Sequence, residues 1–411
     1  MLTDVLVLGA GMVGTCTALQ LALRGHSVAL IDRRAPGSET SYGNAGIIQR
    51  EAVAPYAFPR DWRAVLRVAL KRGMDVNYHV GALPAVIPPL ARYWHASAPA
   101  RYAPVVREYS RLIEHCLTEH QALIAASGAD ALVRREGYRV GFRSQATMDR
   151  MAAQAATFQA EYGVRHALLD AGALAQAEPG LHGRLAGAVH WLDPWSVSDP
   201  GALVQHYAAR FVGLGGHLAD GDAATLTPIA GGWQVQSADG PLTARHAVVA
   251  LGPWAKALTA RLGYRLPLFV KRGYHRHYQG GPGLRLPLID ADSGFVLAPT
   301  SRGIRVTTGA EFARIGAPAT PVQLAKAERA ARSLIDLPIP VEDTPWLGNR
   351  PCTVDMKPVV GPAPQHAGLW FNFGHGHQGF TLGPVTGRLI AEMIGGATPI
   401  VDPTPYSPLR F

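Results

Sequence analysis

Apolar and polar positions alternate with changing period along the chain, and the changes mark its elements. Val5-Leu6-Val7-Leu8 is a short continuous apolar run of the buried-strand type. It enters Gly9-Ala10-Gly11-Met12-Val13-Gly14 and a helical pattern from Val13 to Arg24, and a second apolar run from Ser27 to Ile31 ends at Asp32. Helical periodicity then governs Arg60 to Ser127, with an expected break at Pro84, Pro88 and Pro89. A strand at Tyr138–Phe142, a helix over 145–162 and a short helix over 171–177 follow. The pattern next predicts a helix from Ser198 to Leu214 capped by Ser198 or Asp199, with Pro200 in its first turn. Leu226 to Ala250 reads as hairpin strands around Gly231-Gly232 and Asp239-Gly240, and 247–251 as a buried strand. Strands at 294–297 and 304–308, a helix over 320–335, a strand over 369–373 and a helix over 380–394 complete the reading. No internal repeat or low-complexity linker separates these parts.

The first unit is a βαβ segment carrying G-x-G-x-x-G with an acid at its far end, the arrangement that holds a dinucleotide. Gly9 permits the tight turn, Gly11 lets the backbone approach a pyrophosphate, and Gly14 lets helix and strand pack closely. The helix start at Met12 and Val13 offers free N–H groups to phosphate. Asp32 is placed to accept from ribose hydroxyls. Arg33 and Arg34 beside it read either as contacts to the adenosine end or as surface charge, and they keep an NADP reading open.

The composition, 48% hydrophobic and 17% charged over 411 residues, gives a large globular core with room for two domains. No apolar run is long enough to span a bilayer. The three cysteines, Cys16, Cys116 and Cys352, have neither metal-like nor disulfide-like spacing, so no metal site is expected and a reduced, cytoplasmic setting fits. The net charge of +9 is spread over scattered arginines. It reads as a solvated basic surface rather than a nucleic-acid site, since no aromatic–basic interleaving accompanies it. It also suits an anionic substrate or an acidic membrane surface.

Five segments taken in order carry a resemblance. They are the N-terminal fingerprint, Ser41-Tyr42-Gly43-Asn44-Ala45-Gly46, Leu251-Gly252-Pro253-Trp254, Gly348-Asn349-Arg350-Pro351, and Gly374-His375-Gly376-His377-Gln378-Gly379-Phe380-Thr381. Together they resemble the FAD-dependent D-amino-acid oxidase superfamily over nearly the whole chain. Ser-x-x-Asn-Ala-Gly and Lys271-Arg272-Gly273-Tyr274 are most similar to bacterial D-amino-acid dehydrogenases. The resemblance implies a mixed α/β (α+β) fold: a Rossmann-like FAD-binding domain (1–52, 198–264 and 346–411) interwoven with an antiparallel-sheet substrate domain (53–197 and 265–345).

It also implies site roles. Ser41, Asn44, Ala45 and Gly46 would line the flavin and pyrophosphate, with Gly252 and Trp254 on the same cofactor. Gly374, His375, Gly376, His377, Gly379, Phe380 and Thr381 would bring a helix N-terminus to the flavin edge that gains negative charge on reduction. Arg350 would pair with the substrate carboxylate, for which a planar guanidinium is suited. Arg272, Tyr274, Phe295 and His375 are further substrate-binding candidates, and Tyr274 and His377 further catalytic ones. Phe295 stands near a pocket tyrosine of glycine oxidase-like members and lacks its hydroxyl. Sarcosine oxidase-like members attach flavin to a cysteine two residues before the arginine; here that residue is Gly348, so the FAD is expected to be non-covalent.

The implied activity is dehydrogenation of D-amino acids, with hydride passing from Cα to flavin N5. The imine then gives a 2-oxo acid, or a cyclic imine from a D-proline or D-hydroxyproline substrate. A quinone or other carrier is the expected acceptor, with peripheral contact at the inner face of the cell membrane following from a quinone. An oxygen-using glycine or sarcosine type of oxidase, and the flavin subunit of a hetero-oligomeric amine dehydrogenase, are the alternatives.

Overall fold

The computed structural model describes residues 2–71, 73 and 76–411. The opening βαβ unit is present as strand Leu2–Leu8, helix Met12–Ala22 and strand Val28–Asp32. Leu2–Leu8 lies between Val28–Asp32 and Gly240–Val249, parallel to both. Leu369–Phe373 joins in parallel beyond Gly240–Val249, and Val359–Pro362 closes that edge antiparallel. His217–Ile229 and Gly232–Ser237 complete this seven-stranded sheet. The expected hairpins are there, although the first strand starts at His217 rather than Leu226.

Three glycines set the packing of this layer. A Cβ at Gly14 would overlap the carbonyl oxygen of Gly9, so the first helix can sit against its strand only with glycine there. Gly383 and Gly387 likewise let the C-terminal helix Gly379–Ile394 approach the backbone of Met12, Cys16 and Thr17. The helices Pro99–Glu114 and Cys116–Ser127 bury Tyr109, Leu112, Ile113, Leu123 and Ile124 in the same core.

The second layer is an eleven-stranded sheet among the described residues, centred on the long strand Leu268–Gln279. Trp346–Thr353 pairs with that strand from Leu268↔Thr353 to His275↔Trp346. Residues 346–353, expected with the cofactor unit, therefore belong by hydrogen bonding to the larger sheet and bridge the two layers. A small third sheet joins Ile47–Ile48, Trp195–Val197 and Val133–Arg134.

The proline-rich segment departs from expectation. Pro88 and Pro89 lie inside the helix Leu83–Ala96 instead of ending it. The carbonyls they leave without amide partners belong to Pro84 and Ala85, both exposed, so water can satisfy them. Elsewhere the pattern holds: Gln145–Tyr162, Ala171–Ala177 and Pro200–Gly213 are helices. Asp199 caps the last of these, accepting from Ala202 N at 3.0 Å. No helix among the described residues is long and apolar enough to cross a membrane.

Candidate active site

A cleft of about 310 Å³ runs from Asp32, Arg33 and Trp254 past the glycine turn to Arg350 and His377. Gly9, Gly11, Met12, Val13, Ser41, Asn44, Gly252, Gly376, Gly379 and Phe380 also line it. Gly9 has φ +106°, and a Cβ there would press on the Ala250 carbonyl. Met12 N donates to Ser41 Oγ at 2.9 Å, so the polar loop is held over the first N–H of the helix. Asp32 Oδ2 accepts from Ala10 N at 2.7 Å, tying the end of the second strand to the glycine turn. Arg33 lies over the Trp254 ring, 5.1 Å from its centroid.

These residues fit FAD. Two helix N-termini, at Met12 and Gly379, open on the cleft, and such ends bind anions and developing negative charge. The buried Asn372 lines the same cleft with its Oδ1 unpartnered. The cleft lining contains no cysteine.

Some expected cofactor residues shape the site without lining it. Asn44 Oδ1 accepts from Gly46 N at 2.8 Å, and Gly46 adopts φ +73°, so Ala45 and Gly46 turn the loop whose Ser41 and Asn44 face the cleft. Arg34 points to Glu39, at 2.9 Å. Thr381 bonds Gln378 Oε1 at 2.7 Å and accepts from Gln49 N at 3.1 Å. Gly374, at φ +85°, lines a second cavity behind the turn.

Arg350 lies half-buried at the end of the cleft. It donates to the carbonyls of Gly309 and Thr308 at 2.8 and 3.2 Å. No ion pair to an acid is formed by Arg350 among the described residues. A Cβ at Gly273 would overlap its guanidinium, so the strand opposite leaves space for it. Lys271 stands directly across the ladder from Arg350. It is buried, with Nζ 3.3 Å from Tyr93 Oη, and burial lowers its pKa. Among the described residues neither cation forms an ion pair with an acid, and the pKa of His377 is pushed well down by burial and by both charges. His375 is also held neutral by burial, at about 3; its Nε2 lies 3.0 Å from Thr386 Oγ1, which itself donates to Leu382 O.

Three substrate candidates have their side chains committed elsewhere. Arg272 forms a buried ion pair with Glu311 at 2.6 Å and donates to Ala317 and Pro318 carbonyls. Tyr274 borders the cleft, but its hydroxyl is committed to Glu311 and Arg272 and accepts from Thr320 N. The period-two alternation of the strand explains both: residues 269, 271 and 273 share the face toward Arg350, and 272 and 274 take the other. Phe295 is packed in the apolar core with Leu297 and Val306, away from both cavities; the neighbourhood of a motif did not decide which way its strand faces.

Sequence reasoning missed Lys271 as a site residue, and with it Glu51, Tyr56, Trp346 and Arg305. Arg305 donates to the carbonyls of Tyr42 and Asn44 and so fixes the polar loop from the opposite sheet. Trp346 packs against Gly43 and Gly348 and stacks on His275, with centroids 4.7 Å apart.

Comparison with known proteins agrees with this geometry. A family described as DAO, FAD dependent oxidoreductase, matches residues 4–393. The chain is 31% identical to a D-amino-acid oxidase of Bradyrhizobium diazoefficiens, over 99% of this chain and 98% of that one. It is 33% identical to a D-amino acid dehydrogenase of Cereibacter sphaeroides, over 97% and 93%. Glycine oxidase from Geobacillus kaustophilus shares the fold, with a TM-score of 0.74, 23% identity and coverage of 100% and 99%. L-proline dehydrogenase from P. horikoshii does so with a TM-score of 0.72, 17% identity and coverage of 100% and 97%.

Proposed function

Since the chain belongs to the DAO family of FAD-dependent oxidoreductases, we propose that it dehydrogenates free D-amino acids at Cα and passes the electrons to a carrier other than oxygen. The observation that carries this reading is Arg350: a half-buried guanidinium that, among the described residues, pairs with no acid, at the end of a dinucleotide cleft. A partly desolvated cation bonded only to neutral carbonyls attracts a carboxylate, and two parallel N–H groups orient it. Lys271 adds a second positive charge from the facing strand.

FAD, held non-covalently along the glycine turn and the Ser41–Asn44 loop, supplies the hydride acceptor when bound. The protein's part is positional and electrostatic. Arg350 fixes the carboxylate, and so the direction of the Cα–H bond. The N-terminus of Gly379–Ile394 stabilises negative charge at the cleft. His377 and His375, both held neutral, add no further positive charge beside the substrate amine, which keeps the electron pair for imine formation only when unprotonated. Water then hydrolyses the released imine to the 2-oxo acid and ammonia.

The test is anaerobic mixing of purified holoenzyme with D- and L-amino acids while the flavin absorbance is followed. Bleaching by D-amino acids but not their L-antipodes, with electrons passing to quinone analogues and little hydrogen peroxide formed in air, supports the reading. A flavin that no amino acid bleaches refutes it. Stoichiometric peroxide in air makes the protein an oxidase instead.

A further inference from the structure

Behind the Gly374–Gln378 turn lies a second cavity of about 520 Å³, which shares His375, Gly376 and His377 with the cofactor cleft. Glu51 lines it and is buried, only 5% exposed. One carboxylate oxygen is fully used: Oε1 accepts from Tyr138 Oη at 2.8 Å and from Gln49 Nε2 at 2.7 Å. The other, Oε2, is buried without a partner. Gln49 is itself fixed, because its Oε1 accepts from Gln378 Nε2 at 2.8 Å and Gln378 Oε1 accepts from Thr381. The acid is therefore held in a rigid chain anchored on the turn, with one acceptor left over.

We propose that this cavity is the side-chain subsite of the amino-acid substrate and that Glu51 selects a side chain ending in a cation. The inference rests on the proposed oxidation of D-amino acids and adds the substrate class. Three observations carry it. The first is the unpartnered Oε2: with nothing beside it, burial raises the carboxyl to about 7, and a cation arriving at Oε2 takes the place of that proton. The second is the wall: Phe158, Trp191 and Tyr138 line the same cavity, and aromatic faces with a carboxylate form a favourable box for ammonium or guanidinium. The third is polarity. Arg350 lies in the cofactor cleft, Lys271 faces it across the ladder from the wall of the second cavity, and Tyr56 packs on His377, which the two cavities share, with ring centroids 5.0 Å apart. A substrate with its carboxylate at Arg350 and a positive group at Glu51 lies along that field. A second carboxylate would oppose it, and a hydroxyl would supply a donor but no charge.

The experiment compares D-lysine with D-norleucine, which has a similar chain without the charge, alongside D-arginine, D-glutamate and cis-4-hydroxy-D-proline. Turnover of the holoenzyme is followed with a dye acceptor. The expected kcat/KM ratio of D-lysine to D-norleucine is about 30 or more, falling by a similar factor in Glu51→Gln, mainly through KM, and partly kept in Glu51→Asp. A second readout needs no turnover: 6-aminohexanoate should bind the holoenzyme about tenfold more tightly than hexanoate by calorimetry, and Glu51→Gln should abolish the difference. A ratio at or below one, a better rate with D-glutamate or hydroxyproline, or a preference unchanged in Glu51→Gln overturns the proposal. If no D-amino acid is oxidised, the functional reading fails, and the 6-aminohexanoate preference still decides the subsite.

Discussion

Gly273 leaves the space that the Arg350 guanidinium occupies. Arg350→Ala should lower kcat/KM for a D-amino acid by about 10²–10³-fold, and Arg350→Lys should recover little, because an ammonium cannot reproduce a planar fork. Gly273→Ala should weaken substrate binding by about tenfold or more with the flavin spectrum retained, since the atoms nearest the new methyl group are those of the guanidinium. Steady-state kinetics checks both. Glu51 yields a stability prediction. Burial raises its carboxyl from the usual 4.5 to about 7, against the opposing hydrogen bonds of Tyr138 and Gln49 and the charge of Arg50. The folded state thus holds a proton that the unfolded chain has lost, and this contribution is present below pH 4.5 and lost as pH rises through about 7. Glu51→Gln should therefore be more stable than wild type at pH 8, by up to about 3 kcal/mol, and the two should converge at pH 4 in denaturant titrations of the apoprotein.

At the scale of elements, two buried polar clusters hold the layers in place. Glu311 receives Arg272 and Tyr274 from the long strand, Asn77 from the strand Val76–Tyr78 on its other side and Thr320 from the following loop. Glu311→Gln leaves the Arg272 charge uncompensated and should destabilise the protein by about 3–5 kcal/mol, seen as a lower Tm. The second cluster is His120 on Cys116–Ser127, whose Nε2 donates to Phe380 O at 2.9 Å while Nδ1 lies 3.1 Å from Tyr207 Oη. It pins the first turn of the C-terminal helix beside the cleft. Burial depresses its pKa from 6.5 to about 4. The unfolded chain binds that proton first, so the stabilisation is full above pH 6.5 and is lost as pH falls through 4. His120→Gln should flatten the decline in Tm between these pH values.

At the scale of the whole molecule, the cofactor cleft is built from both layers. The glycine turn and Ser41 loop come from one side, and Arg305, Trp346 and Arg350 from the other. A ligand bound across such a junction stabilises only the assembled state. Adding FAD to apoprotein at 100 times its Kd should raise stability by about 2.7 kcal/mol, and Arg305→Ala should reduce that gain by loosening the Tyr42–Asn44 loop. Thermal shift with and without FAD measures both.

The sequence by itself determined the elements that local chemistry controls. The βαβ start was legible because Gly9, Gly11, Gly14 and Asp32 each answer a backbone or ligand requirement within about two dozen residues of one another. The helix over 145–162 was legible from periodicity, that after Asp199 from periodicity and its cap, and the place of Arg350 at the cleft from its motif. Other features were decided by tertiary structure, for identifiable reasons. Strand facing turns on one residue of register: Lys271 is at the site while Arg272 and Tyr274 are bound to Glu311 behind it. Pro88 and Pro89 remain helical because exposed carbonyls can turn to water. The second cavity had no local signature, since Glu51, Tyr138, Trp191 and Lys271 lie far apart in the chain and meet only when the large sheet closes over the cofactor layer. Period and turn chemistry are properties of neighbours along the chain, whereas an acceptor left without a partner is a property of every group packed around it.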